Sequence, residues 1–461
     1  MFNFKNLKCF FASFVLSFSL VLSLAVSANN SAMMELLKIL HHKGSLSDDE
    51  YGLLVKVSQA DNEKVEDTVS KLEAKVDQKV AVLPKVTTKG KLQIASEDGQ
   101  FSFQPIGRVF WDSVWVDDDG NSDEKSGSEL RRSRLGFQAT FSKHWKAKIE
   151  YDFSGSDADL KDGWLSYNNK FNGNAYNIKV GQQHVPFGFN TISSSKYMSF
   201  LRRPLFADGP LSPARNYGAS FRMNGKRWLV HAGGYLGSPG DGEVSVDDDG
   251  EDETTLAFRF AGTPIMRDKN HLIHVGASFM YKQPHGDRAR VRQRIVSHLS
   301  DRALVADFGN DVSDINAFDL EALAVWGPFH ALGEFVHWSV DDEVIGNADL
   351  NAWSIEAGWF LTGESMKYKK GQFSGISPKR PFMGGGLGAW QLALRFENMD
   401  LNDGAIAGGD GDVLTAGINW YPVKNMRFMA NYATTLDFSR PGHALDNIEP
   451  SAFSLRSQVY W

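Results

Sequence analysis

Cysteine is all but missing from this 461-residue chain, Cys9 being the only one. A fold held by internal disulfides is therefore excluded. Beyond Val26 no stretch approaches 18 consecutive apolar residues, so the remainder either stays in water or crosses a bilayer without helices. Positive charge is in deficit, with 49 Lys and Arg against 56 Asp and Glu and a formal charge of -7, which argues against nucleic acid as a bulk partner. Absent as well are HExxH, GxSxG and a phosphate-cradling glycine loop. No catalytic residue, cofactor or metal is expected.

What the chain has in abundance is glycine and aromatic residues: 43 Gly, 32 Phe, 12 Trp and 12 Tyr. That balance suits many strands, tight turns and rings placed at membrane surfaces. The amino end carries Lys5 and Lys8, an apolar run from Phe10 to Val26, and then Val26-Ser27-Ala28. It resembles a secretory signal peptide over residues 1–28, cut after Ala28. Loss of Lys5 and Lys8 takes the formal charge from -7 to -9.

Residues 29–95 differ from the rest. Met33, Leu36, Leu37 and Leu40 have helical spacing, and Ser45 to Asp49 form a polar break. Val65, Val69, Leu72, Val76 and Leu83 follow at steps of four and three, with Lys79 as a polar seam position. This predicts a periplasmic helical extension, either a short self-associating coiled coil or one amphipathic helix on the protein's own surface. Pro84 closes it, and Thr87 to Gly99 is expected to be a linker. His41-His42 is expected to be a surface pair at a helix end rather than a metal site.

The rest, residues 96–461, is expected to be all-β. In Leu130 to Phe153 the residues Trp145, Ala147, Ile149, Tyr151 and Phe153 alternate with Lys146, Lys148, Glu150 and Asp152. At the strand period of two these make one apolar face and one charged face, whereas a helix would scatter them. Leu135, Phe137, Ala139 and Phe141 repeat the pattern, so a hairpin through Ser142-Lys143-His144 is expected. Similar runs recur to Trp461, many bracketed by aromatic residues, as rings at both membrane surfaces would be. Connections are short at Gly225-Lys226, Gly327-Pro328 and Pro422 to Asn425. Others are expected to be long and acidic, among them those with Asp117 to Asp119, Asp247 to Asp249 and Asp341 to Glu343. Asp117, Asp119, Asn121 and Asp123 have calcium-loop spacing, but the glycine sits at 120, off the turn position, so an acidic loop is preferred. The alternation of short turns with long polar loops predicts a transmembrane antiparallel β-barrel in an outer membrane, and the 361 residues from Phe101 to Trp461 suffice for about sixteen strands.

A channel's chemistry lies in the charges on its inner wall. Arg288, Arg290, Arg292 and Arg294 stand at spacing two and share one face if the segment is extended. A line of passing anions would offset their mutual repulsion; a solvated basic loop is the alternative. Arg131, Arg132 and Arg134 form a second basic group, with Arg108 before them and Arg202 and Arg203 after. Arginine suits phosphate-like anions because its planar fork donates two parallel hydrogen bonds and keeps its charge.

Five ordered motifs carry a resemblance: Leu130-Arg-Arg-Ser-Arg-Leu-Gly-Phe137, Lys161-Asp-Gly-Trp-Leu165, Gly181-Gln-Gln-His-Val-Pro-Phe-Gly188, Ser193-Ser-Ser-Lys-Tyr197 with Phe200, and Ala214-Arg-Asn-Tyr-Gly218. From about Arg108 through Asp301 the chain resembles the phosphate-selective porin O and P family, with weaker likeness to the end. The resemblance implies a sixteen-stranded, homotrimeric outer-membrane barrel that passes phosphate or related anions down an arginine ladder to a constriction. By position, Arg290, Arg292 and Arg294 would form the ladder. Arg108, Arg131, Arg132, Asp162, Ser194, Ser195 and Arg203 would lie near the constriction, the hydroxyls replacing water and Asp162 keeping the anion from binding too tightly. The sequence departs from the family at His184, where lysine is frequent, and at Asn190, where an acid is common. It departs again at Arg202-Arg203-Pro204, and by the same resemblance His298 would occupy a further ladder position. A general porin without phosphate preference is the alternative within this class, and a barrel enzyme or adhesion protein the alternative outside it.

Overall fold

The computed structural model describes residues 32–81, 84–88, 91–117, 125–207, 211–237, 253–284, 289–300 and 302–461. The 1–28 segment, Leu83, the calcium-spaced residues Asp119 to Asp123, Asp247 to Asp249 and Arg288 fall outside them. The chain divides into two compact units after Ser102.

In the first unit, helix α1 covers 32–42 and helix α2 covers Asp48–Ala81. Ser47 starts α2 through a reciprocal box: the Ser47 N–H donates to Glu50 Oε2 at 2.9 Å, and the Glu50 N–H to Ser47 Oγ at 3.3 Å. The α2 segment carries Val65, Val69 and Leu72 as the seam spacing predicts. His41 stacks on Tyr51 with ring centroids 4.5 Å apart and lies 2.7 Å from Asp48 Oδ1, so it ties the two helices together. The expected linker instead contains a small hairpin, Lys85–Thr87 paired with Gln93–Ala95, because the backbone groups of an extended segment seek partners.

The second unit is a closed sixteen-stranded antiparallel barrel. Its first eight strands are β1 (Ser102–Asp117), β2 (Gly127–Phe141), β3 (Trp145–Asp152), β4 (Asp159–Phe171), β5 (Asn174–His184), β6 (Arg215–Asn224), β7 (Trp228–Leu236) and β8 (Thr254–Asp268). The other eight are β9 (His271–Gln283), β10 (Val312–Trp326), β11 (Phe329–Asp342), β12 (Ala348–Phe360), β13 (Ala389–Asp403), β14 (Ile406–Tyr421), β15 (Met426–Ser439) and β16 (Ser451–Tyr460). Each pairs with its sequence neighbour, and β16 returns to β1 with Ser451 opposite Asp117 and Tyr460 opposite Arg108. The expected β2–β3 hairpin is present, Phe141 facing Trp145 across a turn with Ser142 and Lys143 at positive φ.

Burial along the strands is inverted relative to a water-soluble sandwich. On β10 the carboxylates Asp319 and Glu321 are buried while Phe318, Leu320 and Trp326 are exposed. Trp111, Trp115, Phe137 and Trp145 are likewise exposed on the outside. Apolar area facing outward in such quantity is stable only against hydrocarbon, so the outer face is a membrane face. Rings gather where strands meet short turns: Trp145 on Tyr167 at 5.1 Å, Phe329 on Trp359 at 5.7 Å, and Trp390 on Trp420 at 5.7 Å.

Two connections depart from expectation. The acidic segment at Asp341 is not a long loop. β11 runs to Asp342 and the connection is only 343–347, its start fixed by Asp342 Oδ1 accepting from the N–H groups of Val344 and Ile345. Conversely, one connection at the short-turn end is long: 361–388, between β12 and β13.

Candidate functional site

Three connections fill the lumen. The constriction loop, 185–214, enters from the long-loop end, and 361–388 enters from the short-turn end. They meet through Phe189 and Phe373, edge to face at 4.8 Å. The third, 284–311, carries the arginine run.

The constriction loop is held by polar side chains on the barrel's inner face. Its one-turn helix Phe189–Ile192 presents the N–H groups of Phe189 and Asn190 to Glu334 of β11, at 2.7 and 3.1 Å. Asn190 Nδ2 adds a third bond at 2.6 Å. Further along, the Leu201 N–H donates to Asn431 Oδ1, while Asn419, Arg395 and Arg456 donate to the carbonyls of Ser199, Arg202 and Leu201. Backbone groups buried inside a lumen need such partners, and polar inward positions supply them. Phe187, Phe189, Phe200 and Phe206 then bury their rings, each contributing about 1.5–3 kcal/mol by burial. From below, Arg259 Nη2 donates to Gly371 O at 3.0 Å and Arg222 to Lys370 O at 2.6 Å.

What remains open is a cavity of about 680 Å³. Its lining includes fifteen Lys and Arg against three Asp and Glu. Arg108, Arg131, Arg132, Asp162, Ser194, Ser195, Arg203 and Arg294 of the expected set all line it. So do His184 and His298. Arg290 and Arg292 do not; they belong to a short hairpin in which Arg290–Gln293 pairs with Leu304–Asp307. There Val291 and Gln293 are buried, which leaves Arg290, Arg292 and Arg294 on the opposite face of an extended segment. Arg290 Nε lies 3.1 Å from Asp307 Oδ2, and Arg294 Nε donates to Ser300 O at 3.0 Å.

The charges at the narrow part form one network. Arg108 Nη2 donates to Glu150 Oε1 at 2.8 Å and its Nη1 to Ser195 Oγ at 3.4 Å. Lys148 lies 2.5 Å from Glu150 and 2.7 Å from Asp162, and Arg215 is 3.4 Å from Asp162. Arg134 pairs with Asp152 at 2.7 Å. Arg203 Nη2 donates to Ser193 O at 2.7 Å, so it braces the loop as well as facing the cavity. Arg202 reaches Glu397 at 2.6 Å, and His298 Nδ1 lies 2.9 Å from Glu129. Lys196 sits over Tyr197 and Tyr460, 5.5 and 5.3 Å from their ring centroids. Burial first, then the Arg108 guanidinium, pull the Lys196 ammonium down to about 7.

Lys148, Glu150, Lys196 and Arg215 are candidate positions that sequence reasoning did not single out. Lys196 and Arg215 lie inside the quoted motifs, and Lys148 and Glu150 are the polar half of the alternation in β3, so the signal was present. The β2 arginines show a subtler effect. Leu130 and Leu135 both face outward, 44% and 55% exposed, although they are an odd number apart. The alternation therefore slips by one residue between them, and Arg131, Arg132 and Arg134 all reach the cavity.

Elsewhere on the inner wall, Asp319, Glu321 and Glu334 bring carboxylate oxygens within 4.8 Å of one another. Glu321 is paired with Arg259 and lies 2.7 Å from His274 Nε2, while Glu334 accepts from the constriction loop. The cluster is thus an anchor for that loop.

Comparison with known proteins agrees with this architecture. Residues 103–461 match the family model described as phosphate-selective porin O and P. An uncharacterized protein of Caulobacter vibrioides is 29% identical over 359 residues, 75% of this chain and 71% of that one. Porin O of Pseudomonas aeruginosa is 24% identical over 398 residues, 75% of this chain and 86% of that one. Among solved structures, an anion-selective porin from Comamonas acidovorans superposes with a TM-score of 0.50 at 13% identity, covering 78% of this chain and all of that one, a likeness of fold. A closed barrel with an apolar outside, a lumen narrowed by inward loops and a family match across its whole length leave one assignment: the chain belongs to the phosphate-selective porin O and P family and is a multi-pass β-barrel of the outer membrane.

Proposed function

We propose that this porin conducts anions passively, with a preference for phosphate-like anions, and works as a homotrimer. The observation that carries the reading is the cavity lining, fifteen cationic side chains to three acidic ones in a chain whose formal charge is -7. Cations concentrated in a narrow, low-dielectric passage raise the local anion concentration and exclude cations. Arg290, Arg292 and Arg294 offer successive guanidinium stations at strand spacing, the last of which opens on the cavity.

At the narrow part, an anion replaces lost hydration with N–H donors from Arg108, Lys148, Lys196 and Arg215 and with the hydroxyls of Ser194 and Ser195. Glu150 and Asp162 already share Arg108, Lys148 and Arg215, so binding stays weak enough for release. The family description supports a phosphate preference. Residues 29–95 serve as a periplasmic extension whose α2 seam joins copies.

Reversal potential across a salt gradient in planar bilayers tests the charge preference; a cation-selective pore would sink the proposal. Block of chloride current by phosphate and by pyrophosphate tests the finer part. Equal, weak block by both would leave a general anion porin.

A further inference from the structure

The connection 361–388 does more than fill the lumen. After Lys379 it turns outward along the rim, where Phe382, Met383 and Leu387 are 55%, 80% and 73% exposed. This is not a floppy excursion. The Phe382 N–H donates to Pro422 O at 2.8 Å, the Gly386 N–H to Pro381 O at 3.0 Å and the Gly388 N–H to Arg380 O at 3.0 Å. Leu387 O accepts from the indole N–H groups of both Trp390 and Trp420, at 3.1 and 2.9 Å. A segment this well tied down holds three large apolar side chains outward, and that needs a partner.

Two observations identify it. First, the projection is continuous with the lipid-facing ring belt: Phe382 meets Trp420 edge to face at 5.5 Å, Trp420 stacks on Trp390, and Phe428 follows at 5.5 Å. Second, cations flank the apolar prongs. Arg380 immediately precedes them and is exposed, and Lys424 is exposed on the turn that receives the Phe382 N–H. Three further turns at this end carry cations, Lys143, Lys226 with Arg227, and Lys269, whereas 172–173 and 327–328 carry none. In outer-membrane barrels the short-turn end faces the periplasm, where the leaflet is phospholipid.

The geometry points to an anionic phospholipid site on the periplasmic rim. Phe382, Met383 and Leu387 lie among the acyl chains beside β13–β15, and Arg380 with Lys424 holds the headgroup phosphate. Apolar prongs alone would accept any lipid; the two cations confer the preference for negative charge.

The test uses the full-length porin. Cys9 lies in the segment expected to be removed, so Met383→Cys is a unique label site for an environment-sensitive fluorophore, and Leu387→Cys is a second if the first assembles poorly. Retained heat-resistant migration on gels checks that each variant is folded. In phosphatidylcholine vesicles containing phosphatidylglycerol, the expected result is a blue-shifted label quenched more strongly by brominated phosphatidylglycerol than by brominated phosphatidylcholine. Arg380→Gln with Lys424→Gln should remove that preference, about fivefold in apparent partitioning per cation, while quenching by the neutral lipid persists. Three results would overturn the site: a label quenched by aqueous iodide as freely as the dye in solution, equal quenching by both lipids before the cations are removed, or a disulfide between Met383→Cys copies, which would give the rim to a second protomer.

Discussion

Asn190 Nδ2 donates to Glu334 Oε2 at 2.6 Å, joining the start of the constriction loop to the far wall of the barrel. The position is one where the family often carries an acid, and here an acid would put a second carboxylate against Glu334, beside Asp319 and Glu321. The amide resolves that conflict because it donates where a carboxylate would repel. Asn190→Asp should therefore loosen the loop's anchor, at a cost of about 1–3 kcal/mol. Thermal melting in detergent should fall, and single-channel recordings should show added open-channel noise. An unchanged melt and quiet channels would mean that the remaining N–H donors hold the loop alone.

The three arginines of the hairpin are predicted to collect anions ahead of the cavity. Arg290→Ala, Arg292→Ala and Arg294→Ala together should lower low-salt anion current severalfold and have less effect at 1 M salt, where screening is short-ranged, about 3 Å. Conductance against salt concentration reads this directly. Equal loss at all salts would indicate a collapsed loop in place of lost attraction.

Glu150 is predicted to act as a release group. It shares Arg108, Lys148 and, at 3.9 Å, Arg134. Glu150→Gln frees those cations for the anion, so phosphate should bind about tenfold more tightly, equivalent to about 1.4 kcal/mol, and maximal current should drop. Half-blocking phosphate concentration and saturating current are measured on the same channels; both rising together would be the wrong outcome.

Lys196 gives the pore a pH dependence near neutrality. Its ammonium is depressed to about 7, so it is charged below that value and loses its proton as pH rises through it. Anion conductance at low salt should fall between about pH 6 and pH 8. Lys196→Arg, which keeps its charge, should flatten the profile. A wild-type profile that is flat over the same range would remove Lys196 from the conduction path.

Much of the barrel was legible because lipid outside and water inside impose opposite demands at a period of two, as in Trp145 to Asp152. Asp162, Ser194 and Ser195, named from the motifs, and Arg108, named by position, line one cavity. Three things were not so legible. The one-residue slip at Arg131 to Arg134 shows in the sequence only as the odd spacing of Leu130 and Leu135, which does not say where between them it falls. The inward course of 361–388 depends on Arg259 and Arg222, more than a hundred residues away. The pairing of Arg290 with Asp307 depends on how a loop folds back on itself.

The edge-to-face contact of Phe189 and Phe373 joins a segment threaded from outside the cell to one threaded from the periplasm. The two act like the jaws of a vice closed from opposite ends. The packing of each therefore depends on the other, and shortening either alone should loosen both of these distant stretches of chain.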